Sequence, residues 1–162
     1  ELFTKGHRNP QGMAINPTTN EIWINEHGPK GGDEINIIKL GKNYGWPIVT
    51  FGEEYWGGKV GQGITTLKGF EDPIWYWVPS IAPSGMTFYD KNMFPEFKGN
   101  LLVSSLKFKS IYLVELKNGL PTKDKVLFKN RFGRIRDIEQ LKDGSILVIS
   151  DEKKGGIYKI YR

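Results

Sequence analysis

The sequence predicts an all-β protein assembled from propeller-like blades. Three observations point there: apolar stretches that alternate or run only three to five residues, a β-branched and aromatic character punctuated by 20 Gly and 9 Pro, and a three-strand pattern that recurs along the chain. Helical periodicity is hard to find anywhere in it.

The strand candidates, in chain order, are Met13–Ile15, Glu21–Ile24, Ile35–Ile38, Leu101–Val103, Ile111–Val114, Ile146–Ile149 and Ile157–Ile160. Turn signals such as Thr18-Thr19-Asn20, Asn118-Gly119 and Asp143-Gly144 bound them. They group into three units, each led by a further short stretch: Gly12–Ile15 in the first, Gly85–Phe88 in the second and Arg136–Glu139 in the third. Each unit reads as a meander of three strands with room for a fourth. Ile146 lies 45 positions after Leu101, which is the repeat of a four-stranded propeller blade, roughly 40–50 residues. Leu101 lies 79 positions after Ile22, one blade plus an irregular insertion, Gly41–Pro79, rich in Gly and Trp. A propeller closes with roughly four to eight blades, and an open set of three leaves unpaired sheet edges, which proteins avoid. Residues 1–162 are therefore expected to form the C-terminal part of a single larger propeller domain, about three four-stranded blades of it. A small closed β-sandwich is the alternative.

Composition removes several classes of function. Hydrophobic residues make up 38% and charged residues 25% of 162, the profile of a globular domain with a real core. The longest apolar run, Ile74–Val78, is far too short to span a membrane. With no cysteine there is no disulfide, thiolate zinc site or cysteine nucleophile, and two histidines are too few for a histidine-based zinc site. Glu1–Thr4 is neither a signal peptide nor led by Met, so the chain is expected to begin inside a mature domain or a larger protein. The 23 Lys and Arg against 18 Asp and Glu give +5, a hint of an anionic partner. The charges are scattered and few aromatics interleave with the lysines, so nucleic acid is not expected.

Three groups of residues could carry chemistry. Ahead of the first strand, Gly6–Gly12 concentrates polar side chains: Arg8 offers a planar fork to a carboxylate, and Asn9 and Gln11 offer donors and acceptors. After the second strand, Glu26–Glu34 mixes carboxylates with glycines that let carbonyls turn inward, hard oxygen donors of the kind calcium accepts. The competing readings are a self-satisfied turn and an acidic surface loop. Arg134 and Arg136, two apart, share one face of a strand, where they repel unless an anion sits between them or both face solvent. In a propeller the matching ends of successive blades converge, which gathers Arg8, Lys107, Arg134 and Arg136 round one polyanionic ligand.

The strings GHRNPQG (Gly6–Gly12), EHGPKGGDEINII (Glu26–Ile38), NYGWP (Asn43–Pro47), SIAPSG (Ser80–Gly85) and GRIRDI (Gly133–Ile138) resemble, in this order, the soluble pyrroloquinoline-quinone (PQQ)-dependent aldose sugar dehydrogenases. The resemblance implies a six-bladed propeller and oxidation of an aldose at its anomeric carbon to a lactone, with PQQ and calcium as cofactors. It implies cofactor contacts at Arg8, Asn9, Tyr55, Lys107, Arg134 and Arg136. It further implies active-site calcium ligation by the carbonyls of Gly28 and Pro29, and a second, structural calcium at Glu34 and the carbonyl of Tyr44. The cofactor's three carboxylates suit the cationic convergence. The family's catalytic base matches neither His7 nor His27 and is expected before residue 1, so no catalytic residue is assigned here. A periplasmic or secreted location follows from the same resemblance; the sugar, the electron acceptor and the oligomeric state do not. The alternative is a non-enzymatic propeller module that binds calcium and a sugar or a protein.

Overall fold

The computed structural model describes residues 1–162, whose eleven strands form three antiparallel meanders in chain order. The first sheet contains β1 (Pro10–Ile15), β2 (Ile22–Glu26), β3 (Asp33–Ile38) and β4 (Trp75–Trp77). The second contains β5 (Pro83–Tyr89), β6 (Asn100–Ser105), β7 (Ser110–Lys117) and β8 (Leu120–Leu127). The third contains β9 (Ile135–Gln140), β10 (Ile146–Ser150) and β11 (Ile157–Ile160). One 3-10 turn, Pro95–Phe97, is the sole helical element, and no helix is long and apolar enough to cross a membrane.

The expected fourth strand takes a different form in each unit. In the second sheet β8 follows β7 through Asn118-Gly119, both with positive φ (54° and 78°), the two-residue hairpin geometry whose twist matches that of its strands. In the first, the insertion after β3 is not wholly irregular: its last part returns as β4, pairing Trp77 with Asp33 and Trp75 with Ile35. The third sheet has three strands and no fourth.

The sheets stack face to face, and period-two alternation decides what lies in each layer. In β6, Leu101 and Val103 join Trp23, Ile35 and Met86 in the layer between the first and second sheets, while Leu102 joins Ile138 and Val148 in the layer between the second and third. The central strands of the middle sheet are thus buried on both faces, and Leu101–Val103 of β6 and Ile111–Val114 of β7 read as unbroken apolar runs. The outer faces of the flanking sheets differ. Met13 and Ile15 on β1, and Ile149 and Ile157 on β10 and β11, are exposed, Met13 and Ile157 to about two thirds (68% and 69%).

The innermost strands β1, β5 and β9 approach so closely that side chains are excluded between them. A Cβ on Gly85 would collide with the Asp137 carboxylate and stand 2.6 Å from the Asp137 Cα. Gly85→Ala is therefore expected to cost roughly 1–3 kcal/mol through overpacking. Because the backbone is part of the collision, Asp137→Ala in the same molecule should restore only a fraction of that. Denaturant midpoints of the two variants and the parent check this; an unchanged Gly85→Ala midpoint refutes the close approach.

Candidate functional site

A cavity of about 620 Å³ opens at one end of the sheets, where the segment ahead of β1, the β2–β3 loop, the insertion and the β6–β7 turn meet. Arg8, Asn9, Gly28, Pro29, Tyr55 and Lys107 line it together. These residues span 99 positions of sequence, and the fold brings them to one wall-to-wall space.

The β2–β3 loop is held from below by a carboxylate. Asp33, at the start of β3 and only 1% exposed, accepts three hydrogen bonds. Gly28 N–H (3.0 Å) and the Ser80 hydroxyl (2.9 Å) reach Oδ1, and Ala82 N–H (2.8 Å) reaches Oδ2. A buried carboxylate tolerates its surroundings only when so satisfied. The bonds also clamp the loop to the segment that leads into β5. Gly32, at φ +68°, lets the loop pass the insertion: a Cβ there would stand 2.7 Å from the Phe51 carbonyl carbon. Lys30 and Glu53 then exchange backbone bonds at 3.0 Å in both directions. That pairing carries the Glu53–Lys59 turn over the cavity, with Tyr55 in its lining and Trp56 83% exposed at its tip.

Arg8 does not reach for a carboxylate within the chain. Its Nη1 donates to the carbonyls of His27 (3.2 Å) and Gly28 (2.9 Å), and its guanidinium lies 5.3 Å from the Trp46 ring centroid. It orients the loop carbonyls. The Pro29 carbonyl accepts no hydrogen bond from the protein. His27 donates Nε2–H to the Pro83 carbonyl (2.6 Å), which leaves Nδ1 to face the Asn9 amide at 3.5 Å. His7 is tied by Nδ1 to Glu26 (2.9 Å) and by Nε2 to Thr4 (2.9 Å), and stacks on Tyr44. Both rings have partners at both nitrogens.

Glu34 and Tyr44 lie behind this wall, lining a second, much smaller recess with Gly6, Glu26 and Gly28. Glu34 sits on β3 itself rather than among the turn glycines. The Glu26 hub joins it to the loop. Glu26 accepts Arg8 N–H at 2.7 Å and Asn36 Nδ2–H at 3.1 Å, and the same Asn36 amide reaches Glu34 at 3.3 Å. Burial, with the neighbouring Glu26 and Asp33 carboxylates adding to it and the Asn36 bond opposing, pushes Glu34 up to about 8. A half-buried carboxylate beside other carboxylates is poorly compensated. The Tyr44 carbonyl accepts no hydrogen bond from the protein. No three His, Asp or Glu side chains cluster as a metal cage, so a cation here would depend chiefly on backbone carbonyls and water.

Arg134 and Arg136 stand apart from the cavity lining, and the anion between them belongs to the chain. Asp151 Oδ2 accepts from Arg134 Nε (3.3 Å) and Nη2 (3.1 Å) and from Arg136 Nη2 (2.8 Å). The two guanidiniums hold its carboxyl below the usual range. The mutual repulsion of the arginines therefore does not by itself call for an external anion. A polar path still leads to the cavity. Arg136 Nη1 donates to Gln11 at 3.4 Å, and Gln11 Nε2 donates to Asn9 at 2.8 Å.

Sequence reasoning missed Asp33 and Asp151 as organising groups. Each binds partners far along the chain, Ser80 and Ala82 for the one, Arg134 and Arg136 for the other, and no local spacing encodes such contacts. Asp33→Asn replaces one acceptor oxygen with a donor among three donors. It is expected to lose about 1–3 kcal/mol of stability and to speed amide exchange at Gly28 and Ala82 ahead of the sheets. Exchange at those two amides no faster than in the parent refutes the clamp.

Residues 1–159 match the profile of the family described as Glucose / Sorbosone dehydrogenase. The chain is 43% identical over 161 residues to the aldose sugar dehydrogenase YliI of Escherichia coli K12, covering 99% of this chain and 43% of that protein. The apo crystal structure of the soluble aldose sugar dehydrogenase of E. coli superimposes with a TM-score of 0.93 at 42% identity, over all of this chain and 47% of that one. The PQQ-bound aldose sugar dehydrogenase of Streptomyces coelicolor has a TM-score of 0.74 at 23% identity, over 99% of this chain and 45% of its own; that likeness is one of fold. The chain thus spans less than half the length of these relatives.

Proposed function

We propose, from the premise that the chain belongs to the glucose/sorbosone dehydrogenase family, that the complete protein oxidises an aldose at its anomeric carbon to the lactone. In this reading PQQ and calcium are its cofactors, and residues 1–162 supply three blades of one propeller domain. The observation that carries it is the single cavity that gathers Arg8, Asn9, Gly28, Pro29, Tyr55 and Lys107. The exposed apolar outer faces of the first and third sheets support further blades on either side. A periplasmic or secreted location belongs to the same proposal.

The residues present fit both cofactors by their chemistry. The carbonyls of Gly28 and Pro29, one braced by Arg8 and one free of protein partners, offer hard oxygens to an active-site calcium. Glu34 and the Tyr44 carbonyl offer the same to a structural one. Lys107 and the Arg134–Arg136 pair offer cations to a ligand carrying several carboxylates. When bound, the quinone takes the two electrons of the sugar and calcium polarises it as a Lewis acid. The chain's own part is to bind and orient. Asp33 fixes the loop and Arg8 aims its carbonyls. Asn9 and Gln11 link the arginines to the cavity, and the Glu53–Lys59 turn brings Tyr55 to its lining. Neither His7 nor His27 offers a free base, in keeping with proton abstraction by a residue outside this chain.

Reconstitution tests the reading. The full-length apoprotein given calcium and PQQ should oxidise aldoses, and absence of oxidation for a panel of aldoses refutes it. Arg136→Ala should weaken PQQ binding roughly ten- to a hundred-fold, since a charge-assisted bond contributes about 1.5–3 kcal/mol and 1.4 kcal/mol is tenfold. Lysine at 136 should recover only part of this, for want of the planar fork. Equal affinities in a quinone titration return Arg136 to the role of a partner for Asp151 alone.

The calcium assignment has its own readout. Calcium should raise the melting temperature of the protein by mass action, and Glu34→Gln should lower or abolish that increment without removing the fold. A calcium response identical in the parent and in Glu34→Gln excludes Glu34 as a ligand.

A further inference from the structure

The end of the molecule that carries the cavity is also where its positive charge collects. The β6–β7 turn (107–109), the β8–β9 connection with the start of β9 (129–136) and the β10–β11 turn (151–154) hold eight Lys and Arg and two carboxylates. They sum to +6, against +5 for the whole chain, so the remainder carries −1. The three segments form one surface. Asn130 N–H donates to the Lys109 carbonyl at 2.8 Å, and Lys109 Nζ lies 3.8 Å from Glu152. Glu152 accepts Arg134 N–H at 2.9 Å, and Asp151 N–H donates to the Arg134 carbonyl at 2.7 Å.

Both carboxylates are engaged within this surface, Asp151 by the arginine pair and Glu152 by Arg134 and Lys109. Lys107, Lys129, Arg131, Lys153 and Lys154 are exposed and make no ion pair. Lys107 reaches the cavity lining; the other four do not. Those four lie outside the cavity lining and outside the Asp151 cluster, and a charge's field reaches about 8–10 Å at ordinary ionic strength, toward the cavity's approach.

We propose that this cationic rim is the docking surface for an acidic electron-accepting protein. The inference rests on the sugar-dehydrogenase reading. Oxidation of an aldose to its lactone releases two electrons and two protons; two one-electron acceptor molecules are each reduced by one electron, and the protons pass to water. The sugar is neutral and gains nothing from the rim. An acidic protein face gains faster, oriented encounter with the mouth through which the electrons leave. A nucleic acid would call for aromatic side chains beside these lysines. The aromatics beside the rim are engaged within the chain, Phe108 under Lys107 Nζ (5.1 Å to the ring centroid) and Phe132 between Phe128 and Tyr158, while the exposed Tyr55 and Trp56 are on the Glu53–Lys59 turn.

The test uses the full-length holoprotein with Lys129→Glu, Arg131→Glu, Lys153→Glu and Lys154→Glu combined, which takes the rim from +6 to −2 by four reversals of two charges each. A set with Gln at the same four positions stands in should the reversed set fail to fold. At saturating aldose, kcat/KM is measured for ferricyanide, a trivalent anion, for hexaammineruthenium(III), a trivalent cation, and for neutral benzoquinone. Poly-L-glutamate, as an acidic-surface probe, and a short DNA duplex are titrated in by calorimetry. The parent should prefer ferricyanide, lose that preference with salt, and bind poly-L-glutamate, which should compete with the acceptor. The variant should lower kcat/KM for ferricyanide roughly tenfold or more at low salt, favour the ruthenium complex, lose poly-L-glutamate binding and keep its rate with benzoquinone. Turnover with benzoquinone alongside a ferricyanide-to-ruthenium ratio that the variant leaves unmoved overturns the docking surface alone. DNA binding tighter than poly-L-glutamate binding at matched charge makes the rim a nucleic-acid surface. No reduction of any acceptor overturns the dehydrogenase reading and the docking partner with it.

Discussion

A buried seam of hydrogen bonds fixes the spacing of the three sheets, and the position of every loop at the cavity follows from it. Asn25, wholly buried on β2, accepts Gly12 N–H at 3.1 Å and donates to the Ser84 carbonyl on β5 at 2.7 Å. Ser84 donates to the Ile135 carbonyl on β9 at 2.6 Å and touches Ser104 at 2.8 Å, which itself donates to the Gly85 carbonyl at 2.7 Å. Hydrophobic layers supply most of the drive for the sheets to stack, but apolar contact is non-directional and would allow one sheet to slide on the next. Polar groups sealed between sheets cannot slide without losing partners in a place water does not reach. The seam therefore converts three stacked sheets into a unit with one radial register.

What the register positions is a set of carbonyls and not a set of catalytic side chains. Asp33 holds the loop amides from beneath, Arg8 draws two carbonyls toward itself, and the Lys30–Glu53 pairing closes the insertion over the top. Glu26 ties the Arg8 amide, His7 and Asn36 into the same block, so the recess at Glu34 and the wall at Gly28 share one rigid support. Donors aimed in advance lose little freedom when a ligand arrives, which is where a built site gains over a flexible one.

Much of the fold was legible because strands buried on one or two faces write their burial into the sequence. Leu101-Leu102-Val103 and Ile111–Val114 face a packed layer on each side, and their apolar runs marked them. β8 was not marked: LPTKDKVL is half solvent-facing, contains Pro121, and is defined only by its ladder to β7. β4 was hidden for another reason. It is three residues long and joins its sheet across an insertion, through pairing with Asp33 and Ile35. At the site, glycine-rich loops and isolated arginines were visible as residue types. Their partners were not, since Asp151 meets Arg134 and Arg136 across the length of the β9–β10 hairpin and Asp33 meets Ser80 and Ala82 across the whole insertion.

The two kinds of partner also differ in what they permit. Asp33 lies under the surface, and removing its carboxylate strands the buried Gly28 donor away from water, at a cost of roughly 1–3 kcal/mol, and loosens the half-buried Ser80 and Ala82 donors as well. Asp151 and its two arginines are more than a third exposed, at 38%, 45% and 46%, where ion pairs contribute only about 0–1 kcal/mol. Water already competes for that carboxylate, so a ligand bearing several carboxylates can take up the arginines with little to displace. Asp151 meanwhile holds the two like-charged forks together. The molecule thus pairs a cradle that cannot move with a cationic rim whose internal bonds are weak enough to be exchanged. Rigidity sits under the loop carbonyls, and exchangeability at the surface arginines, where the proposed anionic ligand would enter and leave.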